Sequence, residues 1–191
     1  MADSAELRGL ANNMTVAAWV YMDSATTAAK TGVNPTLNRI IGDDEAWDGD
    51  GWSFGVFTNG TLRFTKNGIV DQNLAAGVPQ DRWVHLAATV SSTGGTTFYV
   101  DGAVAGTNGN TANMNTGLGN NGLADPYAIG RSYGGGEAQW FGGSLDEVRV
   151  FDTVLSQSEV QAMLVPEPNS IALLACAGMV GGAFVLRRRR R

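Results

Sequence analysis

The sequence is poor in the two residues that most often build metal clusters and nucleophilic sites, since its 191 residues include one cysteine and one histidine. The cysteine, Cys176, has no second thiol to pair with, which excludes an intramolecular disulfide and a cysteine metal cluster. The histidine, His85, lies in the run WVHLAATV and alternates there with Trp83 and Ala87. This alternation predicts a half-buried strand histidine with a hydrogen-bond partner, and the sequence identifies no serine that would complete a catalytic triad with it.

Positive charge is scarce outside the end of the chain. Beyond residue 165 the chain holds five arginines and one glutamate, so residues 1–165 keep 8 Lys and Arg against 17 Asp and Glu, a formal charge of −9. Such an acidic domain repels phosphate backbones, which argues against a nucleic-acid partner. The first residues, MADSAELRGL, are charged and contain no apolar stretch typical of a secretory signal peptide.

Short runs of β-branched and aromatic residues recur between turn signals along most of the chain. The sequence also contains 26 glycines, which suit tight turns better than helices. This spacing predicts an all-β, antiparallel sandwich. Its predicted strands are TVAAWVYM, GWSFGVFT, TLRFTK, WVHLAATVSS, TTFYV, PYAIG and SLDEVRVF.

Two Asn-Gly dipeptides predict tight hairpin turns between neighbouring strands. Asn59-Gly60 suits a two-residue turn that needs two positive φ angles. Such a turn places Phe57 opposite Leu62 on one face of the sheet. Asn67-Gly68 predicts a second hairpin of the same kind after the run TLRFTK.

The dipeptide Asp101-Gly102, in the run TFYVDGAVA, predicts a third hairpin. Its turn pairs Val100 with Ala103 and Tyr99 with Val104. The segment that follows, GTNGNTANMNTGLGNNGLAD, has too few apolar side chains to build a core. It is therefore expected to form a surface loop.

One soluble helix is predicted, in the run LSQSEVQAML. Ser156 and Glu159 have the spacing of a capping box, and Leu155 and Val160 stand at the hydrophobic staple positions on either side of it. We expect a short helix that closes the sandwich.

The chain ends in VPEPNSIALLACAGMVGGAFVLRRRRR. At about 1.5 Å per residue, the uncharged residues 171–186 span roughly 24 Å as a helix, a little short of a bilayer core of about 30 Å. Positively charged residues that flank a membrane-spanning segment stay on the cytoplasmic side of the membrane. The arginine block would therefore leave residues 1–165 on the outer side. A buried C-terminal helix is the weaker alternative, because five consecutive arginines require full solvation.

The V-P-E-P tetrad, the apolar segment and the arginine block, in this order, resemble the bacterial PEP-CTERM sorting signal. The resemblance implies that residues 166–191 are handled by a membrane enzyme called exosortase, and that the apolar helix is a transient membrane anchor. It also implies export to the cell surface or the extracellular matrix. The prolines fit a rigid linker as well, and the two interpretations are compatible. The residues of the signal are Val165, Pro166, Glu167, Pro168, Arg187, Arg188, Arg189, Arg190 and Arg191.

Several stretches dispersed over residues 10–165 resemble the laminin-G-like (LamG) domain, a concanavalin A-like jelly roll. In order, they are MTVAAWVYM, WVHLAATV, FYVDGAVAG, YAIGR and GGSLDEVRVFDTVLSQSEVQAML. The resemblance implies a jelly-roll domain over residues 1–165. In that family further strands precede the first of these stretches, and one of them pairs near the strand represented by SLDEVRVF. We therefore expect an N-terminally truncated domain whose sheet keeps an unpaired edge.

The stretch GDDEAWDGDGW holds five carboxylates within eight positions. Their mutual repulsion is relieved by water or by a cation, and calcium suits them because it takes six to eight oxygen ligands in flexible geometry. The spacing does not match an EF-hand, and a solvated acidic loop is the alternative. The candidate calcium ligands are Asp43, Asp44, Asp48 and Asp50.

Exposed aromatic side chains are the candidate ligand-binding residues, because an indole or phenol ring can stack on a sugar ring. Trp47 lies in the acidic stretch, and Tyr133 and Trp140 flank the glycine-rich run RSYGGGEAQW. Trp52, in contrast, alternates with Phe54 and is expected in the core.

No residue pattern in the sequence indicates catalysis. Glycoside hydrolases need two carboxylates across a sugar cleft, and the E-x-D-x-x-E string common in jelly-roll hydrolases is absent. Asp146 and Glu147 alternate to opposite faces of one strand, which predicts a buried Asp146 and a surface pair between Glu147 and Arg149. The sequence therefore favours a non-catalytic binding or adhesion module. The resemblance to the LamG domain implies a carbohydrate or an exopolysaccharide as its partner, and a surface protein is the other expected partner. The alternative functions are a glycoside hydrolase or a purely structural protein.

Overall fold

The computed structural model describes residues 10, 13–31, 36–42, 51–111, 127–131 and 139–164. These residues form ten β-strands and two short helices. The strands are β1 Asn13–Met22, β2 Leu37–Gly42, β3 Trp52–Phe57, β4 Thr61–Lys66, β5 Val70–Ala75, β6 Trp83–Ser91, β7 Gly95–Val100, β8 Ala103–Asn108, β9 Ala128–Ile129 and β10 Gly143–Phe151. The helices are α1 Ser24–Ala28 and α2 Gln157–Ala162.

The strands form two five-stranded antiparallel sheets. The first, called the β1 sheet below, has the order β10-β1-β6-β7-β8, and the second, the β3 sheet, has the order β5-β4-β3-β2-β9. This arrangement confirms the predicted all-β sandwich of jelly-roll type. Within the described residues, β10 pairs only with β1 and is therefore an edge of its sheet.

The core lies between the two sheets and follows the alternation of the strands. In β1 every second residue from Met14 to Met22 is almost fully buried, as are Val84, Leu86, Ala88 and Val90 of β6. Trp52 of β3 is fully buried and stacks on Phe64 of β4, with ring centroids 5.9 Å apart. The prediction that Trp52 belongs to the core is confirmed.

The hairpin at Asp101-Gly102 is confirmed. Both residues have positive φ angles, 48° and 73°, as this two-residue turn requires. Val100 pairs with Ala103 and Tyr99 with Val104, as predicted.

The predicted register of the Asn59-Gly60 hairpin is wrong by one residue. Leu62 pairs with Val56 and not with Phe57. Within this turn only Gly60 has a positive φ angle, 79°, so the chain makes a three-residue loop. This loop keeps the fully buried Val56 and Leu62 on the same face of the sheet, which the predicted register would not do. Phe57 instead packs at 4.7 Å from the guanidinium of Arg63.

The capping box of α2 is confirmed. The Ser156 backbone N–H donates to the Glu159 carboxylate at 2.7 Å, and the Glu159 N–H donates back to the Ser156 hydroxyl at 3.4 Å. Val160, in the next turn, is fully buried and packs with Leu155 on the outer face of the β1 sheet. Helix α1 was not predicted, although Asp23 caps it by accepting from the Thr26 N–H at 2.5 Å.

The predicted burial of Asp146 is wrong because β10 contains a β-bulge. Glu147 has a positive φ angle of 46°, and the pairing with β1 shifts at this point. The extra residue of the bulge shifts the alternation of inward-facing and outward-facing side chains along β10. Asp146 therefore faces solvent, whereas Val148 packs against the core. The predicted surface pair is confirmed, since Arg149 Nη2 lies 2.9 Å from Glu147 Oε2.

Several predicted features lie outside the described residues. They include the sorting tail 166–191 with its apolar helix, the acidic stretch and most of the glycine- and asparagine-rich loop. Within the part of the chain that the structure describes, no helix has the length and apolar character needed to cross a membrane.

Candidate functional site

Of the predicted ligand-binding residues, Trp140 is the one that the structure describes. Its side chain is 38% exposed, in the segment that leads into β10. In the described ranges no three His, Cys, Asp or Glu side chains lie close enough to hold a metal ion. The candidate residues outside the described ranges are Asp43, Asp44, Asp48 and Asp50 for calcium, Trp47 and Tyr133 for ligand binding, and Val165, Pro166, Glu167, Pro168 and Arg187 to Arg191 for sorting.

Trp140 is held by Lys30, which sequence analysis did not select. The Lys30 ammonium lies 5.1 Å from the centroid of the Trp140 ring and donates to the Trp140 carbonyl at 2.7 Å. A cation over an aromatic face is attracted by the ring quadrupole. The segment at Trp140 is thereby attached to the end of α1.

A larger group of aromatic side chains lies on the outer face of the β1 sheet. Trp19 and Tyr21 of β1 are opposite His85 and Trp83 of β6, respectively. The rings of Trp19 and His85 meet edge to face at a centroid distance of 5.4 Å, and those of Tyr21 and Trp83 at 5.9 Å. These four residues are called the aromatic face below.

The aromatic face is open to solvent at one end. Trp83 is 44% exposed, whereas Trp19 and Tyr21 are partly exposed and His85 is 2% exposed. Helix α2 covers the other part of the same sheet face, where Val160 packs on Ala17, Ala87 and Tyr99. The helix therefore divides the sheet face into a covered part and an exposed part.

Polar groups border the aromatic face on both sides. On β10, Asp146 is opposite Trp19 and Ser144 is opposite Tyr21, and both are exposed. Beyond β6, the turn residue Asp101 accepts hydrogen bonds from Arg82 at 3.1 Å and from the His85 backbone N–H at 3.0 Å. The charge of Asp101 is thus paired, whereas none of the described residues forms a salt bridge with Asp146.

His85 is more deeply buried than its strand pattern predicts. Its Nδ1 has no hydrogen-bond partner among the described residues, which contradicts the predicted side-chain partner. The pKa of the His85 ring is lowered to about 4, chiefly by burial; the charge of Asp101 opposes this shift, and the charge of Arg149 adds to it. The ring is therefore neutral at pH 7 and acts as an aromatic packing element beside Trp19.

The aromatic face was not predicted, because its residues come from two distant runs of the sequence. Trp19 and Tyr21 are two positions apart, as are Trp83 and His85, so each pair shares one side of its strand. This period-2 signal is visible in the sequence. The pairing of β1 with β6, which places the two pairs next to each other, is not.

A pocket of about 290 Å³ lies at the end of the sandwich where α1 follows β1. It is called the Lys30 pocket. Most of its lining side chains carry hydroxyl, amide or ammonium groups. The lining residues are Ser24, Thr27, Ala28, Lys30, Thr36, Thr58 and Gln80.

Comparisons with known proteins agree with this architecture. In structure the chain is similar to the CBM40 domain of the Ruminococcus gnavus IT-sialidase bound to α2,3-sialyllactose, with a TM-score of 0.61, 14% identity and coverage of 84% of this chain and 86% of that one. It is also similar to the SAP-like pentraxin of Limulus polyphemus, with a TM-score of 0.58, 18% identity and coverage of 81% and 70%. A third similar structure is domain 4 of an extracellular GH43 arabinanase from Geobacillus stearothermophilus in complex with arabinotriose, with a TM-score of 0.55, 19% identity and coverage of 81% and 67%.

Below 25% identity these similarities establish the fold alone. Among curated protein sequences, none matches this chain. The family model Laminin_G_3, described as the concanavalin A-like lectin/glucanases superfamily, matches residues 2–161 and therefore most of the sequence. The chain belongs to the Laminin_G_3 family.

Proposed function

We propose that this protein is a non-catalytic carbohydrate-binding module that recognises a neutral polysaccharide through its aromatic face. The observation that carries the proposal is the exposed Tyr21–Trp83 ring pair, together with the exposed Asp146 carboxylate, which lies opposite Trp19 and forms no salt bridge with the described residues. Aromatic rings pack against the apolar C–H faces of sugars, and a carboxylate accepts hydrogen bonds from sugar hydroxyls. The complexes of two similar structures, the CBM40 domain with α2,3-sialyllactose and the arabinanase domain with arabinotriose, support a carbohydrate ligand, and the second of these sugars is neutral.

A binding role fits the charged groups of this face better than a hydrolytic one. Hydrolysis needs two carboxyl groups on either side of the scissile bond. Glu147 pairs with Arg149, and Asp101 is bound by Arg82 and by a backbone N–H. The Asp146 carboxylate accepts one bond, from the Glu147 backbone N–H at 2.8 Å, and forms no salt bridge with the described residues, so its second oxygen is the acceptor for a sugar hydroxyl.

We expect Trp83→Ala to weaken polysaccharide binding at least about fivefold, because it removes the most exposed ring of the aromatic face. One base stacked on an aromatic residue contributes about 1–3 kcal/mol, and we assume a similar figure for a sugar. Affinity electrophoresis or calorimetry against a panel of neutral polysaccharides measures the change. Val154→Ala is the matched control, since Val154 is 45% exposed and lies outside the aromatic face.

Three results would contradict the proposal in different ways. Unchanged affinity in Trp83→Ala would place the sugar elsewhere. Failure of the folded chain to bind any glycan would favour a protein partner or a structural role. Release of sugar fragments from the polysaccharide would identify the alternative, a glycoside hydrolase.

We also propose that calcium binds the acidic stretch through Asp43, Asp44, Asp48 and Asp50. The proposal is supported by the density of carboxylates there and by the oxygen preference of calcium. The binding measurements are therefore made both with millimolar calcium and with a chelator. Equal melting temperatures and equal affinities under the two conditions would dismiss the calcium site.

Finally, we propose that the chain is exported and processed through its PEP-CTERM-like tail, with Pro166, Glu167 and Pro168 as the recognised motif. The tripartite order of motif, apolar segment and arginine block supports this proposal. We expect the protein recovered from its native cells to end near Pro166, as measured by intact mass and C-terminal sequencing. A mature chain that retains Arg187 to Arg191 would contradict cleavage by an exosortase-type enzyme.

A further inference from the structure

Lys30 is a buried lysine whose ammonium is surrounded by neutral oxygen atoms. Its side chain is 6% exposed. The Nζ atom donates to the Leu37 and Trp140 carbonyls, each at 2.7 Å, and to the Asn38 side-chain oxygen at 3.2 Å. These three bonds use all three ammonium protons. The charge itself is not neutralised by them.

No carboxylate of the described residues forms an ion pair with Lys30. The acidic residues next to α1 are engaged elsewhere, since Asp23 accepts from the Thr26 N–H and Asp81 accepts from the Ser24 N–H at 2.9 Å. Burial accordingly lowers the pKa of Lys30 to about 8. A desolvated charge without a counter-ion is unfavourable, so an anion bound nearby would stabilise it.

The Lys30 pocket offers a place for such an anion. Its volume of about 290 Å³ is close to the lower limit of about 300 Å³ for small-molecule pockets. The Thr27 hydroxyl and the Gln80 amide nitrogen already donate to backbone carbonyls. The Ser24 and Thr36 hydroxyls make no hydrogen bond to the described residues and are available as donors to a ligand.

We propose that the Lys30 pocket binds a carboxylate-bearing sugar residue, such as a uronic acid. The Ser24 and Thr36 hydroxyls donate to the ligand carboxylate, and the Gln80 side-chain oxygen accepts from a sugar hydroxyl. Lys30 contributes its charge across the pocket, without a direct hydrogen bond. This site is separate from the aromatic face, and it extends the proposed carbohydrate function, on which it rests, to acidic sugars.

The test is an NMR titration of the full chain with glucuronate and, in parallel, with glucose. We expect glucuronate to shift the amide resonances of residues 24–30 and to bind at least tenfold more tightly than glucose at pH 7. At pH 9.5 the Lys30 side chain of the unliganded protein is mostly neutral. The ratio of the affinity for glucuronate to that for glucose should therefore fall at least fivefold. The carbon resonances of the Lys30 side chain should report a higher pKa when glucuronate is bound.

Suitable variants distinguish ligand binding at the Lys30 pocket from the contribution of Lys30 to folding. Lys30→Met removes the ammonium donor of the Leu37 and Trp140 carbonyls and one of the two donors of the Asn38 side-chain oxygen, and it can unfold the domain, so Thr36→Val is the primary variant. It removes one proposed donor, leaves the bonds of Lys30 intact and should weaken glucuronate binding at least threefold. Val154→Ala, an exposed position outside both the aromatic face and the Lys30 pocket, is the matched control and should leave glucuronate binding unchanged.

The outcomes distinguish this inference from the proposed function. Binding of neutral polysaccharide with no preference for glucuronate, or with a preference independent of pH, overturns the acidic-sugar site and leaves the proposed function standing. Absence of binding by every glycan overturns both. A short glutamate-containing peptide that binds residues 24–30 as tightly as glucuronate overturns the assignment of a sugar.

Discussion

Gly95→Ala is expected to destabilise the domain by at least about 3 kcal/mol, which places it among the most damaging single substitutions. A Cβ atom at this position would lie 2.1 Å from the Asn108 carbonyl oxygen and 2.9 Å from the Gly109 Cα. Both are backbone atoms of the neighbouring strand end, so relief requires the β7–β8 pairing to separate. The φ angle of 77° adds the strain of a left-handed backbone.

Gly77→Ala is the matched control for this prediction. Gly77 has a similar φ angle of 64°, but no heavy atom lies within 4 Å of its added Cβ. Backbone strain alone costs about 1 kcal/mol. Urea unfolding of the two variants measures the difference, and equal destabilisation would show that the close contact at Gly95 is absent.

The second large effect is a loss of stability in mild acid, caused by His85. Its folded-state pKa of about 4 lies below the unfolded value of about 6.5, so the unfolded chain binds more protons between these two pH values. The stabilisation is complete above pH 6.5 and is lost as the pH falls towards 4. The expected loss is about 2 kcal/mol by pH 5 and up to about 3 kcal/mol by pH 4.

His85→Phe isolates this contribution, because phenylalanine keeps an aromatic ring beside Trp19 and cannot titrate. The free energy of unfolding is measured by urea titration at pH 7, 6 and 5 for the parent and the variant. The variant should lose about 2 kcal/mol less than the parent between pH 7 and pH 5. Parallel pH profiles would mean that the folded domain protonates His85 as readily as the unfolded chain does.

Local sequence signals predicted the features that depend on neighbouring residues. The turn at Asp101-Gly102 and the capping box of Ser156 and Glu159 are each specified within a few positions, and the structure confirms both. The all-β sandwich follows from the same kind of signal, the alternation within each strand. These features do not depend on which strands become neighbours.

The errors occur where long-range packing decides between local alternatives. At Asn59-Gly60 the burial of Val56 opposite Leu62 selects a three-residue loop over the expected two-residue turn. At Glu147 a bulge moves Asp146 to the outside, and no local pattern indicates it. The candidate sites depend even more on such packing.

The aromatic face illustrates this dependence. Each of its two strands contributes one pair of rings, and only the β1–β6 pairing brings the pairs together. The Lys30 pocket likewise combines residues near α1 with Thr58 and Gln80, which follow later in the chain. Trp140 is predicted as a binding residue from its surroundings in the sequence. Its contact with Lys30 is not predictable in this way, because only the fold brings the two residues together.

The position of β1 between β6 and β10 has a consequence for biosynthesis. The hydroxyl of Thr15 donates to the carbonyl of Thr153, which lies 138 positions later in the chain. At about 5–20 residues per second, the ribosome adds those residues in roughly 7 to 28 s. During this interval β1 has no β10 beside it, and the edge of the nascent sheet is open to other chains. Translation speed, and not only the finished packing, therefore determines how long this domain is exposed to aggregation or to chaperones.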